Sequence, residues 1–329
     1  MSKNHRLIEC VPNFSEGRDA SIIEKIVESI SAVPDVQVLH VDMGADANRT
    51  VISFVGSPEG IEEAAFLALQ CAAELIDMRH HRGTHPRIGA TDVMPLIPLS
   101  GVTMADVVAI AARLTQRVGS ALHIPVFNYE KSARYAYRRQ LEQIRRGQYE
   151  GLEEKMKDAA WQADNAIPFN PKTGATVLGA RSFLLAYNVN LATRDVTIAK
   201  AIAANIRESG KIVNGKRIAG QFKGLKAIGW EVPEYGLVQV STNITDIESL
   251  GLHDVYEAVK AFAAEQGVAL AGSELIGLIP KACLLASGIY YAPQSRSEPE
   301  LIAHAIDALG LKEVDDFCPE HRIIEYLLK

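Results

Sequence analysis

The sequence predicts an α+β protein made of two halves, each with the element order βαββαβ. Segments with apolar residues at helical spacing alternate with short runs of β-branched residues, and the alternation follows the same order twice. The length of 329 residues and the 48% of apolar residues are enough to form two cores. A stretch rich in Pro, Asn and Gly, at 163–174, separates the two halves.

The first half shows both kinds of periodicity. Ile22, Ile26 and Ile30 are four residues apart, which places them on one face of a helix. Thr103 and Asp106 have the spacing of a capping box, which predicts the start of a later helix. Up to residue 99, the predicted elements are a strand at 7–11, a helix over 22–30, strands at 36–41 and 51–55, a helix at 60–78 and a strand at 92–99.

The second half repeats this order. Its predicted elements are a strand at 183–191, a helix at 195–209, strands at 226–230 and 238–241, a helix at 254–265 and a strand at 268–276. This order is typical of the ferredoxin-like fold. We therefore expect two ferredoxin-like α/β sandwich subdomains, at 1–173 and 174–329, with a ligand groove between them.

Composition narrows the class of function. The net charge is −6, with 34 basic and 40 acidic residues, and charges of both signs are mixed along the chain. The basic segment 131–156 is interpreted as a solvated surface helix. The four cysteines form no CxxC pair, and the sequence has no GxSxG motif. These features favour small-molecule chemistry in a cytoplasmic protein over nucleic-acid binding or a Ser or Cys nucleophile.

The most informative stretch is 77–99, which contains a loop between a predicted helix and a predicted strand. It contains three of the nine histidines, His80, His81 and His85. Gly83 and Pro86 disfavour a helix here, so the histidines lie in a loop. Pro86 restricts the backbone of His85, and a neighbouring cation would lower the pKa of its imidazole. His85 is the preferred general base.

Two other interpretations of the histidines stay open. His81 and His85 are four residues apart, and with Asp77 they could bind a metal if the segment were helical. Alternatively, all three histidines are structural. Asp42 ends a strand and could orient His85, while Arg49 begins the next strand and could bind a carboxylate.

Several long motifs together resemble one family. They are ECVPNFSEG at 9–17, VDMGADANRTV at 41–51, HHRGTHPRIGATDVMPLIP at 80–98, GATVLGARSFLLAYNVNL at 174–191, QVSTNITDIESLGLHDVYE at 239–257 and GSELIGLIP at 272–280. These motifs resemble the glutamate formimidoyltransferases, which also form the transferase part of the formimidoyltransferase-cyclodeaminases. The resemblance extends from residue 7 to the C-terminal RIIEYLL.

The resemblance implies functional residues. His85, which precedes Pro86 and Arg87, matches the family's catalytic histidine, and Asp42 matches an active-site aspartate. The residue before this histidine is often acidic in the family but is Thr84 here. The family's folate-binding segment corresponds to Asn165, Ala166, Ile167, Pro168, Phe169, Asn170, Pro171, Lys172, Thr173 and Gly174.

The resemblance also implies a reaction. The formimino group of N-formimidoyl-L-glutamate would pass to N5 of the co-substrate tetrahydrofolate, releasing L-glutamate, with no metal. Both substrates carry carboxylates, so we expect arginines nearby and name Arg49, Arg87 and Arg181. Family members are homodimers. Because the sequence has only the transferase motifs, cyclodeamination is expected from a separate enzyme.

Three alternatives remain at this stage. The same site could transfer a formyl group between 5-formyltetrahydrofolate and glutamate. The histidine cluster could belong to a metal-dependent hydrolase. The chain could also be a folate-binding module without catalytic activity.

Overall fold

A computed structural model describes residues 6–233, 235–314 and 316–328. The chain forms two compact units, one ending at Ser182 and the other beginning at Phe183. The predicted domains begin at residue 1 and end at residue 329, which both lie outside the described residues.

The first unit contains seven strands and five α-helices among the described residues. The strands are β1 (Leu7–Cys10), β2 (Asn13–Phe14), β3 (Val36–Gly44), β4 (Arg49–Gly56), β5 (Thr91–Ser100), β6 (Val126–Asn128) and β7 (Thr176–Ala180). The helices are α1 (Ala20–Ser31), α2 (Pro58–Leu75), α3 (Met104–Leu122), α4 (Leu141–Arg145) and α5 (Leu152–Lys155).

These strands form one sheet. The short strands β1 and β2 both lie between β4 and β5, and each pairs antiparallel with both of them. On its other side, β4 pairs antiparallel with β3. β5, β7 and β6 continue the sheet as parallel neighbours. Because β7 is hydrogen-bonded into this sheet, the first unit extends to Ser182, beyond the predicted boundary between 173 and 174.

Helices α1, α2 and α3 cover one face of this sheet. Their apolar side chains, such as Ile26 and Leu69, form one core with Ile8 and Cys10 of β1. The predicted capping box of Thr103 and Asp106 is present at the start of α3. The predicted βαββαβ order up to the end of β5 is confirmed.

The segment 131–156 is not the solvated surface helix that its charges suggested. It forms short helices that cover part of the second face of the sheet, where Ile144 and Leu152 pack against Phe127. Arg138 is only 1% exposed and forms an ion pair with Asp164 at 3.0 Å. The prediction failed because the guanidinium is buried among aromatic rings, which charge patterning along the sequence does not reveal.

The second unit has the same order of main elements. Its strands are β8 (Leu185–Leu191), β9 (Lys211–Val213), β10 (Lys216–Ile218), β11 (Leu225–Val232), β12 (Leu237–Ile244) and β13 (Leu270–Ile276). Its helices are α6 (Val196–Ile206), α7 (Leu252–Glu265), α8 (Lys281–Tyr291), α9 (Glu298–Leu309), α10 (Pro319–Arg322) and α11 (Ile324–Leu327).

The main sheet of the second unit has the antiparallel strand order β11-β12-β8-β13. The first unit has the equivalent order, β3-β4-(β1, β2)-β5. The exposed hairpin of β9 and β10 was not predicted from the sequence. In the parts of the chain that the structure describes, no helix is long and apolar enough to cross a membrane.

Candidate active site

The loop between α2 and β5 is held against the turn between β3 and β4. The side-chain amide of Asn48 donates to the carbonyl of Arg82 at 2.9 Å and accepts from the backbone N–H of Gly17 at 3.0 Å. A Cβ added at Gly83 would lie 2.2 Å from the carbonyl oxygen of Ala47, so this close approach requires glycine. Three motifs that are distant in the sequence therefore meet around Asn48.

The end of this loop is fixed by a second close approach. Gly89 and Gly174 form an isolated β-bridge, and a Cβ on Gly89 would lie 2.1 Å from the carbonyl oxygen of Ala175. The Ser15 hydroxyl donates to the carbonyl of Gly89 at 2.7 Å. The loop that carries the histidines is thus attached to the sheet at both ends.

His81 is a structural residue. It is 6% exposed, and its Nε2 lies 2.9 Å from the carbonyl oxygen of Asn48, which can only accept a hydrogen bond. Its Nδ1 accepts a hydrogen bond from Nε of Arg87 at 3.1 Å. Both ring nitrogens are used by the neutral imidazole, and burial lowers its pKa.

His85 has a different arrangement. Its Nδ1 lies 2.8 Å from the carbonyl oxygen of Pro86 and must donate to it. In the neutral imidazole, Nε2 then carries the lone pair that can take a proton. Burial, followed by the charges of Arg49 and Arg145, lowers the pKa of His85 to about 3. The neutral form therefore predominates at neutral pH.

The charges that act on His85 belong to one ion-pair cluster. Asp92 is fully buried, and one of its oxygens, Oδ2, accepts from Arg49 at 2.6 Å and from Arg145 at 2.5 Å. Its other oxygen accepts from the backbone N–H of Ile88 at 2.9 Å. Burial raises the pKa of Asp92, but the two guanidiniums outweigh this effect and bring it to about 2. We call Arg49, Asp92 and Arg145 the arginine–aspartate cluster.

Asp42 lies on the sheet face that carries Arg49. In the antiparallel register Asp42 is opposite Val51, so both side chains point to the same face. Arg49 is two residues before Val51 on β4 and shares that face. The structure thus places the predicted aspartate on the strand next to β4, which carries Arg49 of the arginine–aspartate cluster.

The other two arginines expected to bind substrate have internal partners. Arg87 is 5% exposed and donates through both Nη atoms to the carboxylate of Glu150, at 2.9 and 2.6 Å. Arg181 donates to the carbonyl of Ser182 at 2.9 Å, and its charge acts on Glu9. Of the three arginines named from the sequence, Arg49 is the one whose charge acts on His85.

The predicted folate-binding segment is folded by its own polar side chains. The Asn165 amide donates to the carbonyl of Ile124 at 2.9 Å and accepts from the N–H of Val126. Asn170 accepts from the N–H groups of Lys172 and Thr173, and Gly174 has a positive φ of 64°. These contacts hold the segment in a fixed conformation.

Four residues of this segment line an open pocket of about 430 Å³, a volume within the range of small-molecule sites. These four residues are Ala166, Ile167, Pro168 and Phe169. The remaining lining residues are Glu153, Met156, Lys157, Gln162 and Ala163. The pocket thus combines apolar surface with a few polar groups.

Two of the three side chains considered as metal ligands have other partners. Asp77, the candidate third ligand, pairs with Arg79 at 2.5 Å, and His81 uses both ring nitrogens. Within 6–233, 235–314 and 316–328, no group of three or more His, Cys, Asp or Glu side chains is arranged to hold a metal ion.

Three charged residues of this region were not singled out from the sequence: Asp92 and Glu9, which are buried, and Arg145, whose side chain is 15% exposed. Glu9 interrupts the apolar strand sequence at 7–11, and Asp92 begins the apolar strand sequence at 92–99, so a charge within or at the start of a buried strand is a signal that could have identified both. Burial raises the pKa of Glu9 to about 7. Arg145 lies in the segment interpreted as solvated, and nothing in that pattern distinguishes it from its neighbour Arg146.

Comparison with known proteins covers both units. Residues 7–181 match the family model for the formiminotransferase domain, N-terminal subdomain, and residues 186–329 match the model for the formiminotransferase domain. The glutamate formimidoyltransferase of Streptococcus pyogenes serotype M1 is 39% identical over 287 residues, covering 87% of this chain and 93% of that protein. The glutamate formimidoyltransferase of Thermoplasma acidophilum is 40% identical over 287 residues, with 87% and 92% covered.

Longer relatives match over the same region. The formimidoyltransferase-cyclodeaminase of Dictyostelium discoideum is 43% identical over 331 residues, which cover 99% of this chain. The chain spans 61% of the length of that relative. The matches to both family models and the identities of about 40% confirm the resemblance that the motifs indicated. The chain belongs to the formiminotransferase domain family.

Proposed function

We propose that this protein is a glutamate formimidoyltransferase that uses tetrahydrofolate as co-substrate. The observation that carries the proposal is the neutral imidazole of His85, which has its Nε2 lone pair available beside the positively charged arginine–aspartate cluster. A neutral imidazole can act as the base in a proton transfer, and neighbouring guanidiniums can bind the carboxylates of the substrate. The names of the bacterial and archaeal relatives agree with this assignment.

In the proposed reaction, N5 of tetrahydrofolate forms a bond to the formimino carbon and the bond from that carbon to the glutamate nitrogen breaks. The Nε2 atom of His85 accepts the proton that N5 loses. The same imidazole gives the proton to the departing nitrogen of glutamate. Proton transfer of this kind contributes roughly 10²–10⁴ in rate. Asp42 is proposed to stabilise the positive charge that develops during the transfer.

The pocket along Ala166 and Phe169 is proposed to hold the folate. Its apolar surface suits a flat aromatic ring, and its volume of about 430 Å³ is large enough for part of such a ligand. The polar side chains of the segment, such as Asn165, are occupied in holding its conformation. We therefore assign binding contacts to Ala166, Ile167, Pro168 and Phe169, and a supporting role to the rest of 165–174.

Both units are further proposed to be ferredoxin-like sandwiches. The support is the order β11-β12-β8-β13 in the second unit and its equivalent in the first, together with the βαββαβ chain order. β6 and β7 extend this arrangement in the first unit.

The proposal is tested by transfer assays with two donors. The purified chain is incubated with tetrahydrofolate and N-formimidoyl-L-glutamate, and the formation of 5-formimidoyltetrahydrofolate is followed by absorbance. A parallel reaction contains 5-formyltetrahydrofolate and glutamate. We expect turnover with the formimino donor and a kcat/KM at least about tenfold lower for formyl transfer. A preference for formyl transfer, or no turnover with either donor, would contradict the assignment.

A further inference from the structure

The arginine–aspartate cluster contains more positive than negative charge. Two guanidiniums share the single carboxylate of Asp92, so the three side chains have a net charge of +1. The exposed fractions of the Arg49 and Arg145 side chains are 11% and 15%. Charges this far removed from water are normally paired. The excess charge therefore makes this cluster a favourable place for an anion.

Arg145 also has hydrogen-bonding capacity to spare. Its Nη2 donates to Asp92, but its Nε is buried without a hydrogen-bond partner. Arg49, by comparison, donates from Nε to the side chain of Asn13 at 3.0 Å. A buried donor without a partner is unfavourable, and Asp92 already accepts three hydrogen bonds. A ligand could therefore provide the hydrogen-bond acceptor that Nε of Arg145 lacks.

We propose that Arg145, supported by Arg49, binds a carboxylate of the amino-acid substrate, and that this binding activates His85 as the base. The inference rests on the proposed function, since it assigns the ligand of the same site as a dicarboxylic amino acid derivative. The carboxylate-binding role that the sequence suggested for Arg87 is thereby assigned to Arg145, because both Nη atoms of Arg87 are bound to Glu150.

The activation follows from the charges around the imidazole. After burial, the charges of Arg49 and Arg145 are the main causes that lower the pKa of His85, and Asp92 opposes them. The carbonyl of Pro86 accepts from the ring at Nδ1 in either protonation state. A bound carboxylate would neutralise the excess charge and raise the affinity of Nε2 for a proton. Unliganded His85 is therefore a weak base that becomes stronger when substrate is present.

The direct test uses L-glutamate, the amino-acid product, as the probe. Histidine ring nitrogens of the full chain are labelled with ¹⁵N, and His85 is titrated by NMR with and without saturating glutamate. His85 signals are assigned from the His85→Gln variant. We expect glutamate to raise the pKa of His85 by at least about one unit, equivalent to tenfold tighter binding of glutamate to the protonated enzyme. The exposed His80 is the control, and glutamate should leave its NMR signals unchanged.

Variants of neighbouring arginines provide the matched comparison. Arg145→Met should weaken glutamate binding at least about tenfold and abolish the shift, whereas Arg146→Met, at the exposed next residue, should behave like the parent. Arg145→Lys keeps the charge and should retain the shift with weaker binding. This variant also keeps the test valid if Arg145→Met does not fold. Absence of glutamate binding, or the parental shift in Arg145→Met, would overturn the inference.

The result can be separated from the outcome of the transfer assay. If glutamate raises the pKa of His85 but no transfer occurs, the carboxylate site stands and the proposed reaction is wrong. If transfer occurs but glutamate leaves the pKa of His85 unchanged, the reaction stands and this inference is wrong. The pH dependence of the kinetics is a further check. The profile of kcat reports the pKa of His85 in the substrate complex, and the profile of kcat/KM reports its pKa in the free enzyme. The acidic limb of kcat should therefore lie at a higher pH than that of kcat/KM.

Discussion

His81 accepts a hydrogen bond at Nδ1 from Nε of Arg87, 3.1 Å away, and this contact separates the roles of two histidines in one loop. It leaves His81 neutral with no free nitrogen, because Nε2 donates to Asn48. His85 instead directs only Nδ1 at a backbone carbonyl. The hydrogen bonds therefore distinguish a supporting histidine from a candidate base, although both belong to the same short motif.

Replacement of the candidate base should affect chemistry more than binding. We expect His85→Gln to lower kcat by roughly 10²–10⁴, because Gln cannot accept and return a proton. Binding of tetrahydrofolate, measured by fluorescence titration, should be unchanged. His80→Gln is the control, since His80 is an exposed residue of the same loop. A His85→Gln variant with parental kcat would remove His85 from the mechanism.

Loss of the shared carboxylate should destabilise the first unit. Asp92→Asn leaves two guanidiniums without their counter-charge in a buried position, and breaking a buried pair in this way costs about 3–5 kcal/mol. Urea unfolding measures the change. The control is Asp77→Asn, which removes a surface pair with Arg79 and should cost no more than about 1 kcal/mol. Equal effects of the two substitutions would show that the cluster has no special stability.

The close approach at Gly83 gives a third prediction. In Gly83→Ala, the new methyl group would lie 2.2 Å from the carbonyl oxygen of Ala47, so the loop must move away from the β3–β4 turn. We expect a lower Tm and a loss of kcat of at least about tenfold, since small displacements of catalytic groups are costly. Gly44→Ala is the control, because its nearest atoms lie 3.6 Å away. Activity at the parental level in Gly83→Ala would exclude this role for the loop contact.

The pKa of His85 predicts a pH dependence of stability. An unfolded imidazole takes up a proton below pH 6.5, whereas folded His85 stays neutral down to about pH 3. Protons therefore favour the unfolded state in this range, and the stability of the folded chain falls as the pH decreases through it. Urea unfolding at several pH values should show a smaller fall for His85→Gln than for the parent. Parallel curves for the two proteins would contradict the lowered pKa.

The proposed folate pocket gives a final prediction. Phe169→Ala removes an aromatic wall of the pocket, and we expect the KM for tetrahydrofolate to rise at least about tenfold. The KM for N-formimidoyl-L-glutamate should not change. Tyr137→Ala is the control, because Tyr137 is an exposed aromatic residue of the same unit that does not line the pocket. An unchanged KM for tetrahydrofolate would place the folate elsewhere.

The sequence alone was sufficient for the main helices and strands of both halves and for the family. Periodicity identified βαββαβ in both halves, because a core-facing helix and a half-buried strand each repeat with a fixed period. Six motifs along the chain, one of them around His85, identified the family, and Gly83 and Pro86 predicted the loop that carries the histidines. The boundary between the units was harder to predict, because the pairing of β7 with β5 depends on residues distant in the chain.

The tertiary structure decided which charged residues belong to the candidate site. Arg145 and Arg146 are adjacent and chemically identical, yet one pairs with buried Asp92 and the other is exposed. Arg87, which is next to the histidine motif, is instead bound to Glu150. The sequence determines the residue types and their local conformation. Distances between residues far apart in the chain, which fix charge pairing and the pKa of His85, arise only when the strands pair and the loops pack.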